Sequence, residues 1–443
     1  MDVFVIEGGR QLNGSIRING SKNAALPLMA AALLTDEPLI LSDVPNLSDI
    51  RNMTRLLTEL GIESVSESSE HGQSITHRVT DPTQSHARYE IVRTMRASIS
   101  TLGPLVAKRG SARVSLPGGC AIGQRPVDLH LRGLEALGAK ITLDGGDIEA
   151  TAPNGRLIGA PVFLGGPFGS TVLGTANIMS AATLAEGTTI IESAACEPEI
   201  VDLANMLNAM GAKISGAGSP RITIVGVESL GGTTHRVMPD RIEAGTYLCA
   251  AAVTGSELTL ENCPLDAMMS AVDTLGHMGV HVDAVGSDAD PMRRSCVISR
   301  APEIKPVQIT TQPHPGFPTD LQAQFMALLC LSNGNSVITE KIFPERFLHV
   351  AELCRMGAQI HRQGATAVVT GVKELTGAPV MASDLRASAG LVIAALAAKG
   401  TTIINRVYHI DRGYENLESK LAGVGASIRR ANAEEFADSA MSH

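Results

Sequence analysis

A short pattern, the end of an apolar helix followed by Gly and then a strand, recurs six times along the 443 residues. The copies are LLTELGIES, LEALGAKIT, LNAMGAKIS, LGHMGVHVD, LCRMGAQIH and LAGVGASIR. Their shared glycines are Gly61, Gly138, Gly211, Gly279, Gly357 and Gly425, spaced by 77, 73, 68, 78 and 68 residues. That period is too long for a solenoid and long enough for a small packed unit of helices and strands. Glycine there suits a left-handed helix cap, a conformation that other residues resist because of Cβ. A second pattern leads the copies: an alanine-rich helix, a Gly turn and a β-branched strand, as in NIMSAATLAEGTTIIES, EAGTYLCAAAVTGSELTLEN and SAGLVIAALAAKGTTIINR. Helices with small residues on nearly every face are packed on all sides, whereas the amphipathic helix ending at the shared glycine should cover a sheet.

Each unit therefore reads as βαβαββ, and the chain as an α/β repeat protein. A single core rarely grows to this length, so two lobes of three units are expected. The N-terminal VFVIEGGRQLNGSIRI should pair with the last unit, bringing both ends of the chain into one lobe. Crossovers then fall near Lys22 and near Pro239 to Asp240, giving one lobe of residues 1–21 and 239–443 and another of 22–238.

Composition narrows the function classes. Aromatics are 3% with no Trp, and the formal net charge is −9, which disfavours stacking platforms for single-stranded nucleic acid and polyanion partners. Seven scattered cysteines with no CxxC pair point to a reducing compartment and no structural zinc. No signal peptide or apolar run long enough to span a bilayer is evident, so a cytoplasmic enzyme with no membrane partner is the expectation.

The segment LPGGCAIGQRPVDLH holds Cys120 among glycines and prolines, five residues before Arg125. A cation nearby lowers a thiol pKa and the glycines permit a moving loop, so Cys120 reads either as a reactive thiol or as a buried structural cysteine. Lys22, Arg96, Arg346, Arg386 and Arg412 lie in helix-start, Gly or Pro contexts at matching places in the repeats. Singly, each reads as an ion pair; together they favour an anionic ligand between the lobes. In HPGFPTDLQAQF, Asp320 follows a loop stiffened by prolines, and is either a general base or, with Thr319, a helix cap. Asp240 and Glu243 in PDRIEAGTY read as structural residues of the second crossover. Cys249, Cys330 and Cys354 fall in apolar helices and should be buried; Cys196, Cys263 and Cys296 should be partly exposed.

SKNAALP, LPGGCAIGQRPVDLH, PGFPTDLQAQF, DLRAS and HIDRGYE occur in this order. Together they resemble the motifs of the UDP-N-acetylglucosamine 1-carboxyvinyltransferase family of enolpyruvyl transferases, over essentially the whole chain. The resemblance implies a two-lobed inside-out α/β barrel of six βαβαββ units, three per lobe. It also implies transfer of the enolpyruvyl group of phosphoenolpyruvate to the 3-hydroxyl of UDP-N-acetylglucosamine, with phosphate release, as the first committed step of peptidoglycan synthesis. Neither redox cofactor nor obligatory metal is implied.

Carried over by motif, Cys120 is implied as general acid on the methylene carbon, and Asp320 as acceptor of the hydroxyl proton. Lys22, Asn23, Arg125, Arg346, Arg386 and Arg412 are implied to hold phosphoenolpyruvate. Asn23, Arg96, Arg125, Pro126, Val127, Asp128, Leu129, Thr171, Val172, Asp320 and Ile342 are implied to contact the sugar nucleotide. One departure concerns GGPFGSTVLGTAN, where the family often has Lys ahead of Ser-Val-Gly and this chain has no lysine to meet the diphosphate. Rival readings are an enolpyruvylshikimate-phosphate synthase, which lacks the cysteine loop, an RNA-terminal phosphate cyclase, which would need a more basic chain, and a non-catalytic sugar-nucleotide-binding paralogue.

Overall fold

The computed structural model describes residues 2–69, 72–116, 127–286, 290–300 and 302–433. Their contacts divide them into two compact units, one drawn from residues 2–18 and 239–433 and the other from 19–116 and 127–238. The described strands form six four-stranded sheets, three in each unit, and no sheet closes on itself.

Each sheet has the same plan. In the sheet built around Thr188–Glu192, that strand runs parallel to Pro161–Phe163 and antiparallel to Arg221–Val225, which in turn pairs with Lys213–Ser215. The helices Val172–Ala182 and Pro198–Ala209 make the connections, giving the expected βαβαββ order. Three units are continuous in sequence, and three are completed by a remote strand. Ser15–Arg17 pairs with Leu258–Cys263, and Thr233–Arg236 pairs with Leu39–Val44. Asp2–Glu7 lies between Thr401–Asn405 and Ser427–Asn432, antiparallel to both, so the N-terminal strand does join the last repeat. It supplies only half of the expected segment; Ser15–Arg17 goes to a different sheet of the same unit.

The shared glycines have φ between 77° and 104°. At Gly138, Gly211, Gly357 and Gly425 the glycine N–H donates three residues back and the following alanine N–H donates five back, as Ala139 does to Leu134 at 3.0 Å. This double closure satisfies the last helical carbonyls and turns the chain into the outer strands.

Inner and outer helices separate as their compositions require. Arg241–Thr254 is buried at every residue except Thr254, and Leu385–Ala397 is buried from Arg386 to Leu396. Small residues set the spacing: a Cβ on Gly390 would come within 2.7 Å of the Ala323 carbonyl oxygen of the neighbouring helix. The outer helix Ser48–Glu59 buries Asp49, Ile50, Met53, Leu56 and Leu57, one face at helical spacing. None of the described helices is long and apolar enough to cross a membrane.

Three histidines are buried as neutral groups. Burial pushes His77 down to about 4, pushes His130 down to about 3 with Arg96 adding to the effect, and pushes His349 down to about 4 with Asp384 opposing and Arg346 assisting. Between these values and 6.5 the unfolded chain binds protons that the folded chain refuses, so stability falls as pH drops through that window. The loss at pH 5 is roughly 2 kcal/mol for each histidine, together a large part of an ordinary folding free energy. The midpoint of urea unfolding should therefore drop clearly between pH 7 and pH 5; an unchanged midpoint would contradict the buried, neutral state.

Candidate functional site

In the unit of residues 2–18 and 239–433, three of the residues singled out in the sequence meet. Arg346 Nη1 donates to Asp320 Oδ1 at 2.7 Å, and Arg386 Nε lies 3.4 Å from Asp320 Oδ2. Arg346 and Arg386 are 6% and 2% exposed, whereas the Asp320 side chain is 26% exposed, so the carboxylate is the part of the cluster that a ligand can reach. Each participant is placed by its own element. Asp320 sits in the 3₁₀ turn Thr319–Leu321, which leads into the buried helix Gln322–Leu329. That helix carries no side-chain cap, and the Thr319 hydroxyl is engaged elsewhere, which removes the capping alternative for this pair.

Arg386 is fixed at the start of Leu385–Ala397, where Asp384 Oδ1 caps the helix by accepting from the N–H groups of Arg386 and Ala387 at 2.9 and 3.0 Å. Burial opposes the Arg386 charge, but Tyr414, Asp320 and Asp240 outweigh it and raise its pKa above the ordinary arginine value. Its Nη1 is buried and has no partner among the described residues. A buried, unpaired guanidinium nitrogen beside a partly exposed carboxylate is suited to meet an oxygen of an anionic ligand.

Sequence reasoning missed Glu340, which orders the loop that carries Arg346. Fully buried, it accepts from Thr311 Oγ1 at 2.7 Å, Thr319 Oγ1 at 2.9 Å, and the backbone N–H groups of Ile342 and Phe343 at 2.9 Å each. The Thr319 oxygen then accepts from Arg346 Nη1 at 3.0 Å. Glu340 thereby ties Ile342, Arg346 and Asp320 into one frame. A single acid at a strand end has no motif to mark it. Tyr414 was also missed, although it lies inside HIDRGYE; its ring faces the Arg386 guanidinium at 5.4 Å. Arg412 closes the 3₁₀ segment Val407–Arg412 and is exposed rather than opening a helix. With burial, it lowers the pKa of His409.

The other unit holds the remaining candidates that the structure describes. Lys22 opens the helix Lys22–Ala30 behind the Ser21 cap, and its Nζ donates to Asp49 Oδ2 at 2.9 Å with both side chains buried. Asn23 beside it is exposed. Arg96 opens Arg96–Thr101 and acts on buried His130, whose Nδ1 lies 3.0 Å from Asn177 Nδ2. Val127, Asp128 and Leu129 form the entry to Asp128–Ala136, with Asp128 exposed in its first turn. Thr171 Oγ1 caps Val172–Ala182 by accepting from Gly174 N–H at 3.2 Å, so this hydroxyl has a structural task at a helix N-terminus. Cys120, Arg125 and Pro126 lie outside the described residues.

Among the other cysteines, two expectations are corrected. Cys354 is exposed, because it falls on the outer helix His349–Arg355 and faces away from the sheet. Cys263 and Cys296 are fully buried, because their strands pack into the core of their sheet. Asp240 caps Arg241–Thr254 by accepting from Ile242 and Glu243 N–H, and Glu243 pairs with Lys420 Nζ at 2.7 Å, a structural role for both.

Residues 6–421 match the family model described as EPSP synthase (3-phosphoshikimate 1-carboxyvinyltransferase). A UDP-N-acetylglucosamine 1-carboxyvinyltransferase of Anaeromyxobacter sp. (strain Fw109-5) is 53% identical over 98% of this chain and 100% of its own length. One of Desulfovibrio desulfuricans is 54% identical over 97% of this chain and 99% of its own. The chain belongs to the UDP-N-acetylglucosamine 1-carboxyvinyltransferase family.

Solved structures agree with this family's architecture. The enolpyruvyl transferase NikO from Streptomyces tendae superposes with a TM-score of 0.86 at 25% identity, covering 98% of this chain and 99% of that one. An EPSP synthase from Acinetobacter baumannii shares the fold, with a TM-score of 0.75 at 18% identity over 98% of this chain and 100% of that one. The 1-carboxyvinyltransferase family thus explains the sixfold repeat as its shared architecture.

Proposed function

We infer that this chain transfers the enolpyruvyl group of phosphoenolpyruvate to the 3-hydroxyl of UDP-N-acetylglucosamine and releases phosphate, the committing step of peptidoglycan synthesis. The observation that carries this reading is identity of 53 to 54% along essentially the full length to relatives bearing that name. The reaction is addition followed by elimination. A proton adds to the methylene carbon of phosphoenolpyruvate while the sugar oxygen bonds to the adjacent carbon and gives up its own proton. Loss of phosphate and of a methyl proton then restores the alkene.

Cys120 is the acid for the first protonation in this reading, and Asp320 receives the hydroxyl proton. Support for Asp320 comes from its partial exposure and from the two guanidiniums that fix its orientation. Lys22, Asn23, Arg125, Arg346, Arg386 and Arg412 hold phosphoenolpyruvate, whose charge calls for several cations. The paired state of Lys22 leaves two of its three ammonium hydrogens for a phosphate. Arg96, the 125–129 run, Thr171, Val172 and Ile342 serve the sugar nucleotide, together with Asn23 and Asp320. At Thr171 the contribution is the partly exposed start of Val172–Ala182, where helix N–H groups attract an anion and offset the missing lysine. We place the reaction in the cytoplasm, a reading supported by the six described cysteines, all free.

Phosphate release from phosphoenolpyruvate tests the assignment. Release should depend on UDP-N-acetylglucosamine and should not be supported by shikimate 3-phosphate. Turnover with the shikimate acceptor would select the rival transferase, and nucleotide binding without any release would select a non-catalytic paralogue.

A further inference from the structure

We propose that Tyr414 is a positioning residue for the transfer reaction, holding the Arg386 guanidinium in place against Asp320 with its ring, which the phenol oxygen anchors to two inner helices. The proposal rests on the reading that Arg386 and Asp320 serve that transfer. Tyr414 is 2% exposed, and its oxygen lies 2.8 Å from Thr246 Oγ1 and 3.2 Å from Gln324 Nε2. Thr246 and Gln324 belong to the inner helices Arg241–Thr254 and Gln322–Leu329, and Arg386 to Leu385–Ala397, so one phenol joins three helices.

Hydrogen accounting fixes which way the phenol points. The Thr246 hydroxyl hydrogen is given to the Ile242 carbonyl at 2.8 Å, so its oxygen can only accept, from Gln324 Nε2 at 3.1 Å and from Tyr414. The phenol hydrogen therefore faces Thr246 and a phenol lone pair faces Gln324, which together hold the ring over the Arg386 guanidinium. The guanidinium is planar, so fixing it at Asp320 through Nε and over the anchored ring fixes where its remaining N–H groups aim. The unpaired Nη1 is thereby presented in one direction. Without the phenol oxygen the group can turn, and the ordering cost falls on substrate binding.

The test compares Tyr414→Phe with Tyr247→Phe in the intact chain. Tyr247 is an equally buried tyrosine on the same inner helix as Thr246, and its phenol has no hydrogen-bond partner among the described residues. Tyr414→Phe should raise KM for phosphoenolpyruvate roughly fivefold, the scale of one lost buried hydrogen bond that anchors the ring, with KM for the sugar nucleotide and kcat changed less. Tyr247→Phe should leave both KM values where they are. Thr246→Val covers the case in which Tyr414→Phe does not fold: it removes the acceptor that anchors the phenol, and should likewise raise KM for phosphoenolpyruvate selectively. An unchanged KM in Tyr414→Phe, or an equal rise for both substrates, overturns the proposal. Absence of phosphate release by the unsubstituted protein would instead overturn the assigned reaction.

Discussion

Asp320→Asn is expected to cut turnover by about two orders of magnitude or more while the protein stays folded and binds UDP-N-acetylglucosamine, because an amide cannot take up the hydroxyl proton. The substitution also removes the negative charge between Arg346 and Arg386. Arg346 keeps Thr319, and Arg386 keeps Tyr414 and the influence of Asp240, so the cluster is weakened rather than dismantled. Phosphate release, calorimetric titration of the nucleotide and a melting curve on the same preparation separate the two roles. If nucleotide affinity or melting temperature collapses together with turnover, Asp320 is an anchor for the arginines and the base lies elsewhere.

The second large effect is covalent. The epoxide fosfomycin should alkylate Cys120 in step with complete loss of turnover, and phosphoenolpyruvate should protect against it. In the sequence, Arg125 and the glycine-rich flanks mark Cys120 as the candidate thiolate, and most of the described thiols are poor competitors. Burial raises the pKa of Cys249 and pushes Cys330 up to about 12. Burial, with Glu197 adding, raises Cys196, while a hydrogen bond with Cys296, followed by burial, raises Cys263. That same contact lowers Cys296, but no reagent reaches it because it is fully buried. Cys354 is the exposed alternative, so Cys354→Ser is the control. Peptide mapping that finds the label mainly on Cys354, or full activity in Cys120→Ala, would remove the thiol from the mechanism.

The repeat was legible in the sequence because its signals are local. A left-handed cap needs Gly at one position, and an all-round buried helix needs small residues throughout; both requirements can be met within a dozen residues. Asp320, Arg346 and Arg386 stood out for a similar reason, since each sits beside a proline or opens a helix. Their convergence on one carboxylate is a tertiary fact that spans 66 residues between Asp320 and Arg386. Glu340 and Asp49 were invisible because a buried acid is defined by what surrounds it, and those partners come from distant segments. Short strands were hard to read too: Thr233–Arg236 escaped notice and Ser15–Arg17 was merged with the first strand, since each has too few residues for a period-two pattern and only its sheet partner makes it a separate strand. Cys263 and Cys354 were misjudged because the face of a strand or helix, rather than its overall apolarity, decides which thiol meets solvent.

The strands borrowed across the sequence have a consequence for the order in which the molecule can be made. Residues 19–238 contain every strand of their three sheets, so this stretch can complete itself while the ribosome is still translating the C-terminal part of the chain. The apolar strand Asp2–Glu7 leaves the ribosome long before its neighbours Thr401–Asn405 and Ser427–Asn432. Closing a loop of that length adds little entropy cost at equilibrium, because the cost grows only with the logarithm of length. The kinetic cost is larger: the hydrophobic strand stays unpaired until the last repeat has been synthesised. Asp2 sits opposite Asn432 in the final sheet, so a circular permutant that links Asn432 to Asp2 and opens the chain near residue 239 would make both units continuous and let each fold as it emerges.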